Sequence, residues 1–131
     1  MKLVISDPST RKAHQLDLDE SKSRALIGKK IGEEAQGDAL GLPGYTLKIT
    51  GGSDRDGFPM RPDFPGVGRK RIILIGAPGF HPRLPGQRKQ KLICGNTVSE
   101  TIAQVNTKVL KKGEKPLEEL APKQEKKEEK K

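Results

Sequence analysis

Residues 45–65 read YTLKITGGSDRDGFPMRPDFP and join a strand pattern to an irregular loop. The first six residues alternate apolar and polar side chains, which predicts a β-strand with one buried face. In 51–65, paired glycines permit backbone conformations that other residues avoid, and Asp54 and Asp56 can accept main-chain N–H groups. Three prolines favour extended backbone in the same segment. We therefore predict a strand at 45–50 followed by a loop at 51–65 without regular structure.

The flanking sequence contains further short strand patterns separated by turn residues. A helix of one or two turns is predicted within 19–27, and 99–110 is compatible with either a helix or a strand. The other predicted strands are 2–6, 14–18, 71–75 and 91–94. This spacing predicts a mainly β fold: a small β-barrel with a short helix, an extended basic arm and a flexible C-terminal tail.

The composition predicts a small core. Apolar residues make up 31% of the 131 residues, and Leu, Ile, Val and Phe together number 30. These proportions suffice for one domain but leave part of the chain without enough apolar surface to fold. Cys94 is the single cysteine, so no intramolecular disulfide can form, and we expect it to be a buried core residue in a protein of a reducing compartment.

Positive charge is concentrated in one part of the sequence. Residues 1–60 contain nine basic and nine acidic side chains, whereas 61–95 contain eight basic and one acidic. Residues 114–131 are again neutral, so the chain's net charge of +9 comes from residues 61–113. We therefore divide the chain into a neutral β-barrel half (1–60), a basic region that completes the domain (61–113) and a charged tail (114–131) expected to be disordered or ordered by a partner.

We call residues 61–95 the basic arm, and its composition is typical of an RNA contact. Eleven of its 35 residues are Gly or Pro, so much of it is expected to follow an irregular path that can wrap along a sugar-phosphate backbone. Arginine forks and lysine ammonium groups bind phosphate oxygens. The candidate RNA-binding residues are Arg61, Arg69, Lys70, Arg71, His81, Arg83, Arg88, Lys89, Lys91, Lys111 and Lys112.

The mode of RNA binding follows from the aromatic content. The sequence has three Phe, one Tyr and no Trp, too few for serial stacking on unpaired bases. We expect recognition of folded RNA by its shape and backbone, with Phe80 or His81 touching one exposed base. His81 could equally cap a turn, and His14 is expected at the surface. Phe58, Pro59 and Met60 are expected to plug the core or to contact a protein neighbour.

Other functional classes have no matching pattern. A calcium loop starting at Asp54 would place Phe58 and Pro65 at positions that require oxygen ligands. Neither a phosphate-binding glycine loop nor a zinc-type cluster of Cys and His occurs, so we expect no catalytic residues, metal, cofactor or small-molecule substrate. No apolar run approaches 18 residues and the first residues lack a signal-peptide pattern, so no membrane partner is expected.

One motif resembles a family signature. Residues 49–60 fit a branched aliphatic residue, Gly-Gly-x-Asp, two further residues and Gly-x-Pro-Met, as in the archaeal and eukaryotic small-subunit ribosomal protein six (S-six-e) family. Segments 27–32, 68–75, 83–89 and 109–115 are also similar, so the resemblance covers about residues 1–117. The signature residues here are Gly51, Gly52, Asp54, Gly57, Pro59 and Met60.

The resemblance implies a structural component of the small ribosomal subunit, located in the cytoplasm and bound to ribosomal RNA and neighbouring small-subunit proteins. Eukaryotic members carry a long C-terminal extension with phosphorylated serines. No Ser or Thr follows Thr107 here, so that regulation is not carried over and the chain resembles the short archaeal form. The alternative is a free RNA chaperone or translation factor that binds structured RNA transiently.

Overall fold

A computed structural model describes residues 1–120 of the chain. The seven strands are β1 (Lys2–Asp7), β2 (Lys12–Asp17), β3 (Glu34–Gln36), β4 (Thr46–Asp54), β5 (Arg69–Leu74), β6 (Lys89–Cys94) and β7 (Ile102–Lys111). Two one-turn helices, α1 (Glu20–Ser23) and α2 (Leu117–Leu120), and a 3-10 turn at Gly37–Leu40 complete the described elements.

Five strands form the main sheet, in the order β2-β1-β7-β4-β3. The β1 and β7 strands run parallel, and the other neighbours are antiparallel. Alternate residues of the three central strands, such as Leu3, Leu47 and Val105, are fully buried on one face. The loops between the strands cover that face with side chains such as Leu26 and Leu40, which pack in the same apolar cluster. The other face carries the polar residues of the alternation, as expected for an antiparallel sheet with one solvated side.

The β5 and β6 strands form a separate antiparallel hairpin with a small apolar cluster of its own. Leu74, Phe80 and Ile93 are its buried members, and Phe64 and Ile72 pack against them. A two-stranded hairpin is marginally stable by itself. Packing against the chain that leads into and out of the hairpin therefore contributes to holding it.

The mainly β prediction is confirmed, but the word barrel applies only loosely because, within residues 1–120, the sheets do not close on each other. Each predicted strand corresponds to an observed one, and the ambiguous segment 99–110 contains β7. The one-turn helix α1 agrees with the predicted one or two turns, and residues 24–28 form turns after it. Contrary to the loop prediction, 51–54 continue β4. The three-residue β3 was not predicted from the sequence.

Part of the charged tail packs on the main sheet. Leu117 is buried in the main core, and the Tyr45 hydroxyl donates a hydrogen bond to the Lys115 carbonyl. Lys12 and Glu118 form an exposed ion pair at 2.8 Å between Nζ and Oε1. The tail prediction for 121–131 lies outside the described residues. Leu117 is the one residue of 114–120 that is buried, and with the Tyr45 hydrogen bond and the Lys12 ion pair it holds this segment on the sheet. The mostly polar composition of the segment did not indicate this packing.

Candidate nucleic-acid interface

The signature loop forms the junction between the main sheet and the hairpin. Asp54, the last residue of β4, is almost completely buried, and its Oδ1 accepts the backbone N–H groups of Asp56 at 2.9 Å and Phe58 at 3.1 Å. Gly57 lies between them with φ of 86°, a conformation that favours glycine. Asp54 therefore holds the tight turn from within, as the sequence analysis expected of its carboxylate.

The contacts of Gly52 and Met60 explain why these residue types occupy two further positions of the signature. The Met60 N–H donates to the Gly52 carbonyl at 3.0 Å, and the Met60 side chain is buried in the main core. A Cβ at Gly52 would lie 2.5 Å from the Gln104 carbonyl oxygen and 3.0 Å from the Met60 sulfur. Glycine is required there because the β7 backbone and Met60 occupy the space of a side chain. The expectation that Met60 plugs the core is confirmed.

The hairpin is attached to this junction through Cys94 at the end of β6. The Cys94 N–H donates to the Pro59 carbonyl at 2.9 Å, and the Arg61 N–H donates to the Cys94 carbonyl at 3.1 Å. The Cys94 thiol lies 3.3 Å from Asp54 Oδ2 and donates to it. Burial, and then the neighbouring Asp54 carboxylate, raise the pKa of the thiol to about 11. The prediction that Cys94 is a buried core residue is confirmed.

Arg69, the first residue of β5, joins the hairpin to the same carboxylates. Its guanidinium donates to Asp54 Oδ2 and to Asp56 Oδ2, and it lies over the Phe58 ring at 4.9 Å from the centroid. Burial raises the pKa of Asp54, but the hydrogen bonds from Arg69, the Phe58 backbone, Cys94 and the Asp56 backbone outweigh it, and the net pKa is lowered. Asp54 is therefore ionised at neutral pH and forms a charged link between sheet and hairpin.

Arg61 fixes the loop that follows the β5 strand of the hairpin. Its Nε and one Nη contact the two oxygens of Asp63 at 2.9 and 2.8 Å, and its other Nη donates to the carbonyls of Pro78 at 2.7 Å and Gly76 at 3.2 Å. The side chain is only 11% exposed. With its guanidinium used in this way, Arg61 positions the arm from inside.

Four basic side chains of the arm are exposed and have neither a carboxylate partner nor an aromatic ring beside them among residues 1–120. They are Arg71 on β5, Arg83 and Arg88 in the loop between the strands, and Lys89 at the start of β6. The Arg83 N–H donates to the Gln87 side chain at 2.8 Å, which leaves the guanidinium unengaged. With Lys70, these four groups are the exposed cations of the arm that no carboxylate of residues 1–120 neutralises.

The other candidates are distributed differently. Lys70 is exposed with its ammonium 5.5 Å from the Phe64 centroid, and Lys91 is partly buried. Lys111 and Lys112 lie at the opposite end of the β4–β7 ladder from Asp54, about 30 Å away at roughly 3.3 Å per residue. Lys112 also pairs with Asp7 at 3.1 Å. The structure thus separates these two lysines from the arm.

Position 80 requires a correction. Phe80 is buried in the hairpin cluster, so its predicted contact with an RNA base is wrong: the apolar side chain is needed to pack against Leu74 and Ile93. His81, next to it, is exposed, and His14 on β2 is half-buried instead of at the surface. Sequence spacing gave no signal for the Asp54–Arg69 link, because its partners are 15 residues apart and belong to different sheets.

Residues 1–120 contain neither a metal-type cluster of side chains nor a membrane-spanning helix. Residues 1–120 contain no group of three or more His, Cys, Asp or Glu side chains arranged to hold a metal ion. In the same range, no helix has the length and apolar character required to cross a bilayer.

Comparison with known proteins supplies the family. The family model described as Ribosomal protein S6e matches residues 1–122. This chain belongs to the ribosomal protein S6e family. The resemblance inferred from the signature loop is thereby confirmed, and membership in a family of ribosomal proteins also agrees with the expectation that the chain is not an enzyme.

Relatives of the S6e family match nearly the whole chain. The protein named small ribosomal subunit protein eS6 of Methanocella arvoryzae is 54% identical over 97% of this chain and 89% of its own length. Its namesake in Methanothermobacter thermautotrophicus is 53% identical over 91% of this chain and 93% of that protein. The Archaeoglobus fulgidus protein of the same name is 50% identical, also over 91% and 93%. These archaeal relatives agree with the resemblance to the short form of the family.

Proposed function

We propose that this chain is a structural constituent of the small ribosomal subunit in the cytoplasm, bound to ribosomal RNA through the basic arm. Membership in the S6e family and the names of its relatives support the subunit assignment. The observation that carries RNA binding is the set of exposed cations on the hairpin and its loop, Arg71, Arg83, Arg88 and Lys89, which no carboxylate of residues 1–120 neutralises.

The contact is with the RNA backbone. All four aromatic side chains of the sequence are engaged within the protein: Tyr45 and Phe80 are buried, and Phe58 and Phe64 lie beneath cationic groups of the hairpin. No platform of exposed rings is available for stacking of unpaired bases. The arm therefore binds folded RNA through phosphate oxygens and groove shape.

Arg61 and Arg69 have a different role from the four exposed cations. Their guanidinium groups hold the loop and the hairpin in place, so the arm is already ordered before RNA arrives. Ordering in advance lowers the entropic cost of binding. We assign these two arginines a positioning role and give the phosphate contacts to the exposed set, with Lys70 and Lys91 beside it.

Sedimentation tests the assignment. After a high-salt wash of lysate from cells that make the chain, we expect it to remain with small-subunit particles in a sucrose gradient. Recovery in the supernatant would instead indicate a transient RNA chaperone or translation factor. Binding to purified ribosomal RNA supplies the second measurement: with four phosphate contacts, the slope of log affinity against log salt should lie between about −3 and −4.

A further inference from the structure

Within residues 1–120, the β5 edge of the hairpin has no backbone partner, whereas the β6 edge is covered only at its Cys94 end. On the β6 side, residues 59–61 bond to Cys94. On the β5 side, no backbone hydrogen bond within residues 1–120 joins the strand to anything except β6. An uncovered strand edge presents a row of N–H and C=O groups that can pair with an added strand.

The register shows which groups point outward. The Gly95 N–H donates to the Gly68 carbonyl at 3.1 Å, and these two residues continue the β5–β6 register by one step. In an antiparallel ladder, directly bonded pairs alternate with pairs whose backbone groups point away from each other. The N–H and C=O groups of Arg69, Arg71 and Ile73 therefore point away from β6. Cys94, which is opposite Arg69, bonds outward to Pro59 and Arg61, and this agrees with the alternation of inward and outward pairs.

The side chains on this edge suit a strand partner. Ile73 is 69% exposed, and Ile75, immediately after β5, is 71% exposed, although the sequence contains few large apolar residues. Arg71 is two residues before Ile73 and so lies on the same face of the strand. Acidic side chains are almost absent from the arm, which contains Asp63 alone. A complementary strand would therefore place a carboxylate beside Arg71 and an apolar side chain beside Ile73. Arg71, which can contact phosphate in protein-free RNA, would then face this carboxylate in the particle, where Arg83, Arg88 and Lys89 keep the phosphate contacts.

We propose that the free edge of β5 receives an extended segment of a neighbouring small-subunit protein as the third strand of the hairpin. This inference rests on the proposed function, since the neighbour belongs to the assembled subunit. The segment carries an acidic and an apolar residue two positions apart, so that both face Arg71 and Ile73, and it pairs with the outward backbone groups of these two residues.

Two other occupants fit less well. The edge alternates donors with carbonyl oxygens, and the carbonyls repel phosphate, whereas a peptide strand satisfies both. A second copy of this chain would bring no carboxylate to this edge, because β5 contains Arg69, Lys70 and Arg71 and no acidic residue, so Arg71 would stay without a charged partner. An RNA backbone would also leave the exposed side chain of Ile73 without an apolar partner. A protein segment with acidic side chains is the occupant that matches all of these features.

Amide hydrogen exchange in purified small-subunit particles tests the pairing. We expect the Arg71 and Ile73 amides to exchange at least tenfold more slowly in the particle than in the free chain, with no such slowing when protein-free ribosomal RNA is added. Unchanged exchange in the particle overturns the proposal. Equal slowing by RNA alone also overturns it, in favour of an RNA contact.

A variant pair isolates the backbone bond. Ile73→Pro removes an outward N–H and no β5–β6 bond, a position where edge strands tolerate proline, whereas Ile73→Thr keeps the N–H and shortens the apolar side chain. We expect Arg71 to lose its protection in particles carrying Ile73→Pro and to keep most of it with Ile73→Thr. Equal protection in both variants contradicts strand pairing.

A photoreactive benzophenone amino acid in place of Ile73 identifies the occupant even where the proline variant does not fold. In assembled particles, we expect an adduct to an extended acidic segment of one ribosomal protein, and the same probe in place of Leu84, an exposed loop residue, should not label that segment. An adduct to RNA, or no adduct, overturns the docking proposal while the chain still sediments with the particle. Loss of the chain from the particle would overturn the proposed function as well.

Discussion

Arg69, at the start of the β5 strand, donates a charge-assisted hydrogen bond to Asp54, at the end of β4 in the main sheet. The Asp54 side chain is 1% exposed, so the link is shielded from water on the carboxylate side. Hydrogen bonds of this type are stronger than neutral ones. The buried Asp54 carboxylate therefore helps to fix the orientation of the basic hairpin relative to the sheet, together with the backbone bonds of Cys94 to Pro59 and Arg61.

Asp54→Asn is expected to destabilise the fold by about 2 kcal/mol, because it weakens a bond between charged groups and leaves the Arg69 guanidinium partly unsatisfied. The amide oxygen can still accept the two backbone N–H groups, so the turn itself should persist. Urea denaturation measures the change in unfolding free energy. Asp63→Asn, at a 62% exposed carboxylate, is the matched control and should change stability by less than about 1 kcal/mol. Equal effects in the two variants would contradict the link.

Stability should fall at acid pH. The pKa of Asp63 is lowered by the Arg61 hydrogen bonds, and that of Asp7 by hydrogen bonds from Ser9, with Lys112 adding to the effect. The pKa of Asp54 is lowered as well. A carboxyl whose pKa is lower in the folded state stabilises the protein above its ordinary pKa of 3.8, and that stabilisation is lost as the pH falls through the folded-state value.

We therefore expect the melting temperature to be nearly constant from pH 7 to about 5 and to decline below about 4. Asp54→Asn should have a flatter acid decline, because one of the responsible carboxyls is missing. Thermal unfolding monitored by circular dichroism at four or five pH values measures both curves. Parallel declines in the two proteins would show that Asp54 does not contribute.

Gly52→Ala should destabilise the protein by about 2 kcal/mol or more, since the new methyl group would overlap the Gln104 carbonyl and press on Met60. Gly51→Ala is the neighbouring control: nothing lies within 4 Å of a Cβ at that position, so we expect a change of less than about 1 kcal/mol. Denaturant titration of both variants distinguishes a packing requirement from a general need for glycine in β4.

Replacing both Arg83 and Arg88 with Ala should weaken binding to ribosomal RNA and make the salt slope shallower by about 1.5 to 2 units, because two phosphate contacts are lost. Thermal stability should be nearly unchanged, since both side chains are exposed. Arg61→Ala provides the contrast: it should lower stability through loss of the contacts to Pro78 and Asp63. Unchanged RNA affinity in the double variant would place the contact elsewhere.

Much of the fold could be predicted from local patterns. The alternation around Leu47 and Ile49 and the short apolar runs indicated the strands, since period-two burial is a property of each strand alone. The charge asymmetry likewise located the arm. The three residues of β3 have too short a pattern to be recognised, whereas the acidic start and the helix-forming residues of 19–27 were enough to predict the short helix.

The remainder depended on contacts that are distant in sequence. The paired Gly51 and Gly52 predict a loop because glycine permits backbone conformations that other residues avoid, but β4 keeps its pairing with β7 through a register shift between Ile49 and Gly51. The involvement of Arg61 and Arg69 in internal pairs was also hidden, because counting charges along a sequence does not show which acids face which bases. Phe80 was misassigned because its burial depends on Leu74 and Ile93, which lie on two strands that only the folded hairpin brings together around it.

The two apolar clusters of residues 1–120 are unequal in size, so the two parts of the protein should open with different free energies. The hairpin cluster has three buried members, whereas the main cluster has seventeen. Local unfolding follows the distribution of buried apolar contacts. The hairpin should therefore detach in sub-global fluctuations that leave the five-stranded sheet intact. Its most slowly exchanging amides should have a lower free energy of opening in hydrogen exchange than those of β7.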